Sequence, residues 1–209
     1  MLKQIVSITA MAASLGLTMA PVQGSEVRGV RADFVYEFRP GEGDVRNQDP
    51  KEAIGLEKTT LADALSLGVG GEIIVAYTRD TKSLSGVVCF YNVPGDDFFI
   101  HEPMTSNNRP ETIEVIVSLE KNPSKTPWIS LGVKSVKDSG GTNYIPFDLD
   151  ENSGNIEIPQ AYWILVRDAK SMLTTGGIYA GFEMSTAIIK APCNDSMVSK
   201  RDELKSRLN

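Results

Sequence analysis

The sequence predicts an all-β domain, a β-sandwich or jelly roll with short peripheral helices. Three observations carry this. Short β-branched and aromatic runs recur between clusters of Gly, Pro, Asn, Asp and Ser, at residues 34–38, 72–77, 86–91, 97–101, 112–117, 128–131, 162–166 and 179–189. Several runs are apolar on both alternating faces, as in Ile73, Val75 and Tyr77 against Ile74 and Ala76, which suits a strand in mid-sandwich or under a loop layer. The gaps between runs are too short or too polar for the crossover helices of a parallel α/β fold.

Two helices are expected at the periphery. Asp49 as N-cap, Pro50 at the first helical position and Glu52 in the first turn start one. Met197, Arg201, Leu204 and Leu208 share a face of the other, at the C-terminal end. The organisation is then a signal peptide at 1–24, a sandwich domain at 25–193 and a polar helical tail at 194–209. Residues 1–24 read as a signal because Lys3 precedes an apolar core at 5–17, and small residues follow with two cleavage contexts, ending at Ala20 and Gly24. That core is shorter than the roughly 20 apolar residues of a membrane span, and no later segment is apolar enough to be one. The alternative is a retained N-terminal anchor. The expected destination is therefore export, whether periplasmic, secreted or cell-surface.

Charge narrows the partners. Loss of residues 1–24 removes Lys3 and no acid, so the net charge moves from −6 to −7. An acidic domain without a basic cluster does not neutralise phosphates, so nucleic acid is not expected as a partner. The two cysteines, Cys89 and Cys193, form an even count, which in an oxidising compartment invites a disulfide. The bridge would tie the C-terminal tail onto the sheet; the alternative is two separate thiols.

No catalytic motif stands out, and the chain is expected not to be an enzyme. His101 is the sole histidine, and no Gly-x-Ser-x-Gly elbow accompanies it. Glycoside hydrolysis would need only a carboxylate pair, drawn from Asp96, Asp97 and Glu102 or from Asp148, Asp150 and Glu151, but no spacing fixes their separation. Calcium fits the composition better, because hard cations take several carboxylate and carbonyl oxygens. Asp44, Asn47 and Asp49 lie in one oxygen-rich loop and residues 148–155 form another, without the EF-hand order. Trp128, Tyr144, Trp163 and Tyr179 are the aromatics that could stack on a sugar. Trp163 sits inside an apolar strand and reads as core, whereas Trp128, after Pro127, could be either.

The order of several short motifs resembles bacterial cell-surface and secreted proteins with a discoidin-like (galactose-binding-like) jelly-roll domain. Residues 49–55 resemble that group's Asp-Pro-x-x-Ala-x-Gly loop, and 66–71 its Ser-Leu-Gly-x-Gly-Gly turn into an apolar strand. Residues 95–102 are similar to Gly-x-Asp-Leu-x-Val-x-Glu. Residues 115–118 with 128–132 resemble Val-x-Val-Ser followed by Trp-x-x-Leu-Gly, and Phe147-Asp148-Leu149, 163–168 and 181–184 complete the order. The chain departs from the group at 119–127, which replace an Asp-Gly turn, and at Glu183-Met184, where an acidic run is common.

The resemblance implies a β-sandwich, often with structural calcium, displayed on or released from the envelope. On that basis Asp49 and Glu183 are the candidate metal ligands, and Trp128, Asn143 and Tyr144 the candidate ligand contacts. The expected function is a non-catalytic binding module for a glycan or another envelope polymer. The alternatives are a structural surface or matrix protein that self-associates, and then a glycoside hydrolase.

Overall fold

The computed structural model describes residues 27–43, 47–79, 81–103, 111–125, 127–135, 143–152, 154–169 and 181–193. The expected signal (1–24) and C-terminal helix lie outside the described residues. Thirteen strands are described: β1 (Val30–Arg31), β2 (Phe34–Arg39), β3 (Leu65–Ser66), β4 (Glu72–Ala76), β5 (Phe90–Tyr91), β6 (Phe98–His101), β7 (Thr112–Ser118), β8 (Trp128–Ser135), β9 (Tyr144–Phe147), β10 (Gln160–Ala161), β11 (Trp163–Asp168), β12 (Glu183–Met184) and β13 (Thr186–Ile189). The helices are single 3-10 turns, including Pro50–Ala53 under its Asp49 cap. Among the described residues no helix is long and apolar enough to cross a membrane.

A five-stranded sheet, β2-β4-β11-β7-β8, faces a four-stranded one, β1-β13-β6-β9, and every pairing is antiparallel. The expected sandwich is what forms. Alternation sends Ile73, Val75, Ile164, Val166, Val115 and Val117 inward from the larger sheet. They meet Phe98, Ile100, Ile145, Phe147, Ala187 and Ile189 from the smaller one. Each such side chain contributes about 1.5–3 kcal/mol on burial.

The outward face of the larger sheet is also apolar at one end, which explains why its strands read as apolar on both faces. Ile74, Ala76, Val87, Trp163 and Leu165 form a second buried cluster there. Loops cover it. Trp163 is fully buried and donates its indole N–H to the Lys121 carbonyl at 3.0 Å, while Lys121 Nζ reaches the Ser85 carbonyl at 2.9 Å. The other end of this face is polar. Arg39 bridges Glu37 and Glu72, and Arg167 bridges Glu72 and Glu114, so charges alternate in sign across four strands.

The turn into β4 is backbone packed on backbone. A Cβ on Gly71 would lie 1.8 Å from the Leu67 carbonyl oxygen, so only glycine fits. The Asp168 carboxylate accepts the Gly70 N–H at 2.9 Å, and Asp168 N–H donates to the Gly71 carbonyl at 2.9 Å. The strand-ending aspartate thus holds the turn, as expected of a side-chain oxygen facing turn amides.

Cys89 and Cys193 are joined, with Cα atoms 5.2 Å apart. Cys193 N–H also donates to the Cys89 carbonyl at 2.7 Å, so the chain after β13 is fastened beside the segment leading to β5.

Candidate metal centre

Three buried glutamates meet at one end of the sandwich. Glu102, Glu111 and Glu183 each place a carboxylate oxygen within 4.8 Å of the other two. Glu102 follows β6 directly, with its N–H donating to the Asn143 carbonyl at 3.0 Å. Glu111 immediately precedes β7. Glu183 lies on β12 opposite Ser66, and the Ser185 N–H donates to the His101 carbonyl at 2.9 Å, which brings the β12–β13 segment alongside Glu102.

Burial makes this arrangement costly as three ionised carboxylates. Glu102 is completely buried, and among the described residues no N–H or hydroxyl donor reaches either of its carboxyl oxygens or Oε2 of Glu111. An ionised carboxylate without donors in such a place costs several kcal/mol. Two remedies exist. Without a cation, Glu102 keeps a proton, which it can share with Glu111. Burial first, then that shared hydrogen bond and the charges of Glu111 and Glu183, push its pKa up to about 11. With a cation, all three can ionise.

The donor set fits a hard ion. All the donors are carboxylate oxygens, which suit calcium, magnesium or manganese over soft metals. Two oxygens sharing one calcium at about 2.3–2.6 Å lie at most about 5 Å apart, and the three glutamates meet that limit.

The sequence-predicted metal ligands divide. Glu183 belongs to the cluster. Asp49 does not: it is exposed, and its carboxylate accepts the Lys51 N–H at 3.0 Å as a helix cap. Asn47, beside it, spends its side-chain oxygen on the Asp49 N–H, and Asp44 lies outside the described residues. The second oxygen-rich loop is occupied with its own backbone. Asp148 caps Asp150, and the Asn152 amide bonds both the Leu149 and Ile156 carbonyls. Glu102 was visible as the final residue of the motif at 95–102; Glu111 carried no signal at all.

The candidate ligand contacts also divide. Asn143 and Tyr144 stand beside the glutamates, with the Tyr144 ring 4.6 Å from that of His101. Trp128 is at the other end of the larger sheet, opposite Ser118, whereas the Ser135 end of β8 lies by Thr112 and so by Glu111. The two ends of β8 are roughly 23 Å apart at about 3.3 Å per residue. Trp128 is partly buried against the outer cluster, with its indole N–H on the Pro123 carbonyl at 3.2 Å.

The remaining candidates serve the fold. Asp97 is fully buried, and its two oxygens accept the Val93 and Leu149 N–H groups at 2.7 Å each. Burial raises its pKa while those amides pull it back down. His101 is buried on β6, and burial holds its imidazole below the ordinary range, so it stays neutral at pH 7. Trp163 is core, as expected. Tyr179 lies outside the described residues.

No protein-family model matches the chain, and no curated protein matches it in sequence.

Proposed function

We propose that the protein is an exported, non-catalytic binding module for a glycan or another envelope polymer, with one end of its sandwich closed by calcium on Glu102, Glu111 and Glu183. The observation that carries this reading is the donorless, fully buried Glu102 within reach of two further carboxylates. A protein gains nothing in stability from collecting three buried anions, and a cation turns that cost into a fastening of β6, β7 and β12. Loops at the end of a rigid sandwich are where such modules hold ligands, and Asn143 and Tyr144 are the contacts this reading uses there. The disulfide accords with an oxidising destination. The discoidin-like motif order supports the same reading, although a shared fold does not by itself confer a ligand.

The test is a glycan array probed with the protein in calcium and again in EDTA. Selective binding that weakens about tenfold or more in EDTA is expected, a change of about 1.4 kcal/mol. No signal on any glycan, together with concentration-dependent oligomers in sedimentation, would replace the proposal with a structural surface protein.

A further inference from the structure

A groove of ≈ 780 Å³ runs along the outer edge of β2, away from the glutamate cluster residues and from Trp128, Asn143 and Tyr144, none of which lines it. Its size is that of a ligand site. Among the described residues β2 is an edge strand, paired with β4 alone. Pro50, Lys51, Ile54 and Gly55 form part of the wall, and Lys82 contributes from the loop after β4.

The lining carries two acids and two lysines, in a protein that is acidic as a whole. Both acids have partners. Asp33 accepts from Thr78 N–H at 2.7 Å and from the Thr78 hydroxyl at 3.0 Å, and Glu37 pairs with Arg39 at 2.6 Å. Lys51 and Lys82 are exposed and have no ion pair among the described residues. In a chain of net charge −6, the groove lining is charge-balanced, and its two lysines are free to pair with a ligand. Lys82 also holds φ at +44°, a left-handed conformation that a lysine adopts at a cost and glycine would adopt freely. A strained backbone position filled by a cation at a groove wall is a pointer to function.

Three aromatics, Phe34, Tyr36 and Phe38, share the apolar lining with Val35, Pro50 and Ile54. Tyr36 is 39% exposed, and its ring leans on buried Trp163 at a centroid distance of 5.4 Å, which makes it a braced platform. Phe34 and Phe38 flank it. The pairing with β4 skips Tyr36: Val35 faces Val75 and Glu37 faces Ile74, so Tyr36 is the extra residue of a β-bulge. Bulges re-aim side chains and spoil an edge for strand addition. That favours a ligand read by side chains over an extended peptide read by backbone.

We infer that this groove binds a carboxylate-bearing polysaccharide, with sugar rings on Tyr36 and uronate carboxylates on Lys51 and Lys82. The inference goes beyond the binding-module reading: it adds a polymer site apart from Asn143 and Tyr144 and names the class of polymer that site takes. Charged groups supply charge-assisted hydrogen bonds to the carboxylates, and the ring supplies the stacking face.

The experiment is calorimetric titration of the protein with hyaluronan oligosaccharides, with a neutral galactan and with a glutamate-rich peptide as controls. Hyaluronan binding that weakens with added salt is expected. Lys51→Ala, Lys82→Gly and Tyr36→Ala should each weaken it about tenfold or more. Lys82→Gly should leave the unfolding midpoint unchanged or raise it, so a loss of binding there is not a loss of fold. Absence of hyaluronan binding, or wild-type affinity in all three variants, overturns the inference. If the galactan binds and the three variants leave its affinity intact, the uronate-binding groove is wrong while the glycan module stands. If only the peptide binds, through the same residues, both readings fail.

Discussion

Replacing both cysteines, as Cys89→Ala with Cys193→Ala, should lower stability by about 4–5 kcal/mol and the unfolding midpoint by about 10–15 °C. The bridge spans 104 residues, so it removes a large loop-closure entropy from the unfolded chain. In the native state the same place is held by other contacts. Cys193 N–H bonds the Cys89 carbonyl, Arg79 reaches the Cys193 carbonyl at 3.0 Å, and Phe90 pairs with Pro192. The fold should therefore survive the substitution with an unchanged circular dichroism spectrum at low temperature. Differential scanning calorimetry of the two proteins checks it. A fall under about 3 °C would mean that the bridge constrains little of the unfolded ensemble.

The second large effect concerns Glu102 and has opposite signs with and without calcium. In the cation-free protein its folded pKa, about 11, lies far above the ordinary carboxyl value of 4.5. A group raised in this way keeps its proton on folding, so its contribution is fully present below about pH 4.5 and is lost as pH rises towards the folded value. Stability in EDTA should fall from pH 5 to pH 8, by at most about 1.4 kcal/mol per pH unit from this group. Glu102→Gln removes the proton uptake. It should raise the midpoint in EDTA at pH 8 and flatten the pH profile. In calcium the same variant should be the less stable protein, because ligation requires the ionised carboxylate. Unfolding scans of both proteins across that pH range, in EDTA and in calcium, check it. An identical ranking of the two in EDTA and in calcium would contradict this account of the cluster.

The long strands were legible and the short ones were not. β4 and β11 are apolar on both faces over most of their length and β7 alternates, because the inner face meets the other sheet while part of the outer face lies under loops. β9 escaped because Pro146 lies within it, yet β9 is the edge of its sheet, where a missing N–H costs no pairing. The run at 86–91 read as one strand but is divided. Gly86 closes the 3-10 turn Leu84–Gly86, Val87 bridges Thr78 over the outer cluster, and only Phe90–Tyr91 is strand. Two-residue strands such as β3 and β10 are too short for any period to show, whereas β12, which carries Glu183, lies within the predicted run at 179–189.

The glutamate cluster was legible only in part, for a physical reason. Its members come from the ends of β6 and β7 and from β12, so their proximity follows from sheet order and leaves no spacing in the chain. The oxygen-rich loops that did show a spacing use their oxygens as caps, as Asp49 and Asp148 do. Asx side chains clustered around a turn more often satisfy backbone N–H groups than hold an ion. The groove beside β2 left no mark either, because a bulge at Tyr36 and a left-handed Lys82 appear only once the strands are paired.

The most direct test of the central claim is calorimetric titration of the purified protein with calcium, repeated in buffers of different ionisation enthalpy. The account predicts one ion per chain, proton release on binding that traces to Glu102, and loss of the site in Glu102→Gln. Absence of calcium, magnesium and manganese binding, with an unfolding midpoint that EDTA leaves unmoved, would show that the three carboxylates are held together by a shared proton and that no metal closes this end of the sandwich.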